Sequence, residues 1–101
     1  MKFTIKSQIA PVVEIDTAVS AAYVRFSDGK VARTLSPECD DVIVTLDLDK
    51  EDRVLGVEIL GVREFNLDVL LKKIPFLRAE VPIELAKYVS SESRSLETEP
   101  A

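Results

Sequence analysis

Apolar and polar positions alternate with a period of two through most of the first 60 residues, and a 3.6-residue period takes over only after position 66. Val12-Val13-Glu14-Ile15-Asp16 is a short β-branched run. Ala21-Ala22-Tyr23-Val24-Arg25-Phe26 and Lys30-Val31-Ala32-Arg33-Thr34-Leu35 follow it, and two longer runs cover 41–48 and 53–60. Together these predict an antiparallel meander of four to five strands. Phe3-Thr4-Ile5-Lys6 alternates weakly and offers a further edge strand. No internal repeat is visible.

Two turns set the expected registers. Ser27-Asp28-Gly29-Lys30 lies between two alternating runs, and Asp-Gly there favours a two-residue type I′ turn, whose central residues both need positive φ. That turn pairs Phe26 with Val31, Val24 with Arg33 and Ala22 with Leu35 on one face. Tyr23, Arg25, Ala32 and Thr34 fall on the other. A three-residue loop would instead pair Phe26 with Lys30 and set Tyr23 beside Arg33, collecting less apolar area. Asp49-Lys50-Glu51-Asp52 reads as a charged four-residue loop that pairs Leu48 with Arg53, Leu46 with Leu55, Val44 with Val57 and Val42 with Ile59. The face opposite those pairs carries Thr45, Asp47, Gly56 and Glu58, with Ile43 and Val54.

A sheet with one greasy face needs a cover. Asn66 is a suitable N-cap, Asp68 sits in the first turn and Lys72-Lys73 in the last, as the helix dipole favours. Leu67, Leu70, Leu71 and Ile74 form one helical stripe, and Pro75 ends it. A second short helix is predicted from Pro82 through Ile83, Leu85, Ala86 and Val89. The expected fold class is therefore α+β: an antiparallel meander covered on one face by the 66–74 helix, with a second short helix after it. Residues 1–89 form one domain in this reading, and the polar stretch 90–101 is an acidic disordered tail.

Composition narrows the function classes. At 101 residues the chain has room for one domain. The net charge of −5 argues against non-specific binding to nucleic acid or an anionic membrane. No apolar stretch is long enough for a transmembrane helix, and residues 1–6 lack the apolar run of a signal peptide. With no histidine, histidine-based triads and histidine-ligated metal sites are excluded. The single cysteine, Cys39, cannot form an intramolecular disulfide, which suits a reducing cytoplasm.

The block Tyr23-Val24-Arg25-Phe26-Ser27-Asp28-Gly29-Lys30-Val31-Ala32-Arg33-Thr34 is specific. With Val42-Ile43-Val44 and Arg53-Val54-Leu55-Gly56-Val57-Glu58-Ile59-Leu60, it resembles a small prokaryotic family, domain of unknown function 2283, over roughly residues 13–75. Residues 18–21 depart from the more acidic loop of that family, and Leu46 stands where an aromatic is common. The segment from Leu77 onward lies outside the match. The resemblance implies a small α+β module with no established activity. By analogy with members that sit beside small toxin-like partners, it implies an antitoxin-like or partner-binding role.

Candidate chemistry is thin. Asp47, Asp49, Glu51 and Glu58 fit positions 1, 3, 5 and 12 of a calcium-loop template, but Asp52 occupies the glycine position, and a hairpin cannot wrap an ion. Glu38, Asp40 and Asp41 around Cys39 form a second acidic patch, suited to weak divalent-cation binding or simply to solvent. Acidic neighbours raise a thiol's pKa, so Cys39 makes a poor nucleophile. Arg33 falls on the apolar face, so it snorkels at an edge, finds a carboxylate or contacts a partner. Tyr23, Arg25 and Glu58 share the less apolar face, where Arg25 is expected to pair with an acid; as a catalytic set they lack a nucleophile and a glycine-rich loop.

The sequence thus describes a cytoplasmic interaction module, not an enzyme, without cofactor or metal. Tyr23, Arg25, Arg33, Ile43 and Glu58 are its candidate contact residues. A homodimer is expected, with Tyr23 and Ile43 near the contact, because Ile43, Val54, Tyr23 and Ala32 leave apolar area on the uncovered face. An antitoxin-like partner of a small toxin, or a small metal-binding or enzymatic domain, is the alternative. A further small-protein partner remains open; nucleic acid and membrane are not expected.

Overall fold

A computed structural model describes residues 2–90. Eight strands are present: β1 (Phe3–Lys6), β2 (Val12–Asp16), β3 (Ala21–Arg25), β4 (Arg33–Leu35), β5 (Ile43–Leu48), β6 (Val54–Leu60), β7 (Leu77–Glu80) and β8 (Lys87–Ser90). Among the described residues there is one α-helix, α1 (Leu67–Lys72), of six residues, and a 3₁₀ turn spans Ile83–Leu85. Strands make up 43% of the structure and helical residues 10%, which overturns the α+β class: a helix this short does not cover a sheet of six strands.

The main sheet runs β4-β5-β6-β3-β2-β8, antiparallel except for β2 and β8, which lie parallel. Its inner face carries Val13, Ala22, Val24, Val44, Leu46, Leu48, Val57 and Ile59, all buried. The cover is composite. Leu67, Leu70 and Ile74 come from α1 and its exit, while Ile5 and Leu77 come from a separate parallel pair formed by β1 and β7. The 3.6-residue stripe was real, but Lys73 already closes the helix, its N–H reaching the Leu70 and Leu71 carbonyls. Asn66 caps the start as expected, its Oδ1 accepting from the Asp68 N–H at 2.9 Å.

The second helix is not formed. After the 3₁₀ turn the chain extends into β8, because Tyr88 and Val89 suit a strand and β2 offers an edge to pair with. Tyr88 also anchors α1: its hydroxyl accepts the Leu67 N–H at 2.9 Å. Ser90, read from sequence as the first residue of a tail, ends β8; the rest of that expected tail lies outside the described residues.

The first hairpin is corrected outright. β3 pairs with β2 and β6, and β4 pairs with β5, so β3 and β4 are not neighbours. Residues 26–32 cross the end of the β5–β6 hairpin instead. The Phe26 and Ser27 N–H groups both donate to the Leu55 carbonyl, and the Ala32 N–H donates to the Leu48 carbonyl. Gly29 does have the positive φ expected of it, 159°, but it lies in this crossing segment and not at the centre of a two-residue hairpin turn.

The β5–β6 hairpin is formed with a register two residues away from the expected one: Val44 faces Ile59 and Leu46 faces Val57. A slip of two leaves every side chain on its own face. A bulge opposite Asp47/Leu48 then pairs Leu48 with Val54, moving Val54 from the outer to the inner face. Asp49 organises the turn, its Oδ1 accepting the Glu51 and Arg53 N–H groups at 2.9 Å each. Those backbone donors, that of Arg53 foremost, hold its carboxyl below the usual carboxylate range.

Candidate functional site

The outer face of the main sheet carries a polar network at its centre. Tyr23 on β3 stands across from Glu58 on β6, and next to it Arg25 stands across from Gly56. Gly56 in turn faces Asp47 on β5. Because position 56 has no side chain, the Tyr23 ring lies over the β6 backbone and reaches the next strand but one. Its hydroxyl donates to Asp47 Oδ2 at 2.7 Å. Thr34 on β4 donates to the other oxygen of the same carboxylate at 3.0 Å. On the opposite side Arg25 pairs with Glu14 Oε2 on β2 at 2.9 Å, and its guanidinium carbon stands 5.4 Å from the Tyr23 ring centroid. Side chains from β2 through β4 are thereby tied in one row across five strands.

The geometry makes Tyr23 a poor acid–base group at neutral pH. Burial pushes its phenol well above the ordinary value, and the Asp47 carboxylate that accepts its proton pushes further in the same direction. The folded-state value is raised, so the stability from the neutral phenol is complete below pH about 10 and is lost as the pH rises past it. Wild type is expected to lose stability more steeply than Tyr23→Phe between pH 9 and pH 11 (roughly the span around an ordinary phenol), as read by urea midpoints. Equal slopes would show that Tyr23 is not the group responsible.

Four of the five candidate contact residues, Tyr23, Arg25, Ile43 and Glu58, share this face. Ile43 stands at one end of it, 64% exposed. Arg33 does not: it lies on the inner side of the sheet's edge strand, half exposed, with its Nε donating to Asp52 at 2.8 Å. Edge position and a carboxylate partner both apply to it. Reading the sequence missed the roles of Asp47, Glu14, Thr34 and Gly56. A glycine in mid-strand is a recognised mark of close approach, and Gly56 was the available signal.

The calcium-loop template dissolves. Asp47 is held by Tyr23 and Thr34, Asp49 by the turn it organises, and Glu51 pairs with Arg53. Among the described residues no group of three or more Cys, Asp or Glu side chains is gathered so as to hold a metal ion. The Cys39 thiol donates to the Lys73 carbonyl at 3.1 Å, tying the acidic loop to the end of α1.

Strands β2 through β6, apart from Val12 at the start of β2, and the whole network just described fall within a match to a family model described as a protein of unknown function, DUF2283, over residues 13–63. The chain belongs to that family. The match stops before α1, so the composite cover and β8 lie outside it. No curated protein and no solved structure matches the chain. No helix of the described residues is long and apolar enough to cross a membrane.

Proposed function

We propose that this chain is a protein-interaction module that docks through the outer face of its main sheet, and that its partner there is a second copy. The observation that carries this reading is the face itself. Its central side chains are pinned by hydrogen bonds before any partner arrives, while Thr34, Ile43 and Lys87 around them are exposed. Pre-ordered side chains lose little entropy on binding.

One feature favours a second copy: Ile43 and its cross-strand neighbour Leu60 make an apolar end of this face, and a two-fold axis uses such a patch twice. No catalytic step belongs to this reading. One free cysteine suits a reducing compartment such as the cytoplasm.

Light scattering at tens of micromolar is the test. A mass near twice 11.2 kDa is expected, falling to one chain on Ile43→Asp. A single-chain mass for wild type removes the self-association. If the chain then leaves its own host bound to a small basic protein, the antitoxin-like alternative takes its place.

A further inference from the structure

A second surface, away from the outer sheet face, has the features of a strand-accepting cleft. It is an open cavity of about 790 Å³ between β1, the 26–32 crossing and the tip of the β5–β6 hairpin. Thr4, Ile5 and Lys6 of β1 and the adjoining Ser7, four consecutive residues, line it. A strand that presents consecutive residues presents its edge, because side chains alternate between faces. The register agrees. Phe3 N–H donates to the Phe76 carbonyl and Ser7 N–H to the Glu80 carbonyl, so residues 3, 5 and 7 turn their backbone groups toward β7. Thr4 and Lys6 turn theirs the other way, and no other strand of the described residues pairs with β1 there.

Charge selects the occupant. Four basic and three acidic residues line the cleft of a chain whose net charge is −5. Asp49 and Glu51 are both engaged by Arg53, which leaves Lys6, Lys30 and Lys50 facing the single carboxylate of Asp28. Those three lysines are exposed and enter none of the ion pairs among the described residues. Below them Ile5, Val31 and Leu55 supply apolar lining. We infer that this cleft binds an extended acidic peptide segment of a partner protein, added as a strand to the free edge of β1, with alternate side chains directed to the lysines and to the apolar floor. Main-chain hydrogen bonds supply the attachment and the lysines the selectivity.

The probe is a fluorescent peptide of alternating glutamate and valine, followed by anisotropy, with two controls: a lysine–valine counterpart and a backbone N-methylated copy. Binding of the first is expected, weakened roughly tenfold or more by N-methylation, by Lys6→Glu with Lys30→Glu, and by Thr4→Pro. Thr4→Pro removes an outward N–H and none of the ladder to β7; if it fails to fold, the lysine pair and the methylated peptide still decide. Amide shifts are expected at residues 4–7 and 28–31, whereas shifts confined to Tyr23, Ile43 and Glu58 would assign the peptide to the other face and overturn the cleft. Equal binding of both charge types, no binding, or preference for an oligouridylate over the acidic peptide would overturn it as well. Ile43→Asp is expected to leave peptide binding unchanged, so loss of the dimer and loss of the cleft are separately readable.

Discussion

Gly56→Ala is expected to destabilise the fold by about 2–3 kcal/mol, against the usual direction for glycine in a strand, where alanine gains roughly 0.5–1 kcal/mol. The reason is the Tyr23 ring. A Cβ on residue 56 would stand 2.1 Å from the phenol oxygen and 2.4 Å from Cζ, so the ring has to leave. With it go the hydrogen bond to Asp47 and the contact with Arg25. Urea unfolding of Gly56→Ala, Tyr23→Ala and the double variant measures this as a cycle. In the Tyr23→Ala background the added methyl group is expected to be neutral or stabilising. If the single variant unfolds at the wild-type midpoint, the ring does not lie over β6 as described.

Leu46→Ala is the other large effect, at about 3 kcal/mol and a melting temperature lower by about 15 °C for a domain of this size. Leu46 has no exposed surface and sits on β5 between Leu35 on β4 and Val57 on β6, so the surrounding strands cannot close on the space it leaves. Leu71→Ala on α1, a half-buried position, serves as the comparison and is expected to cost about 1 kcal/mol. Equal losses at the two positions would mean that the core is not centred on the sheet's inner face. The opposite change, Leu46→Phe, overfills the same site and is expected to cost about 1–3 kcal/mol.

What the sequence disclosed was decided by how local each signal is. The β5–β6 hairpin, the α1 cap at Asn66 and the sharing of one face by Tyr23 and Arg25 follow from spacing and turn chemistry within a few residues, whereas Glu58 joins that face through the β3–β6 pairing, which no local signal shows. The Asp28-Gly29 turn misled because a hairpin assignment assumes that nothing comes between its strands; here the whole β5–β6 hairpin does, and the Leu55 and Leu48 carbonyls take the crossing's N–H groups. A competing tertiary partner overrode a local preference. β7 and β8 were missed for a related reason. Each becomes a strand through a parallel partner more than 70 positions earlier, and no short window contains both. The Tyr23–Asp47 bond spans 24 positions, and only the empty position at Gly56 hinted that a ring might cross there.

The two parallel pairings have a bearing on how the chain acquires its structure during synthesis. β1 must wait for β7, and β2 must wait for β8, because each partner lies near the far end of the chain. Until residues 67–90 leave the ribosome, the antiparallel strands β2 through β6 have no cover for Val24, Val57 and Ile59, and they carry an open edge at β2. Contacts of such high sequence separation slow folding, and an apolar sheet face left bare during that wait invites association with other nascent chains. Vectorial synthesis therefore leaves this fold incomplete until nearly its last described residue, and the segment outside the family match is the one that ends the exposed interval.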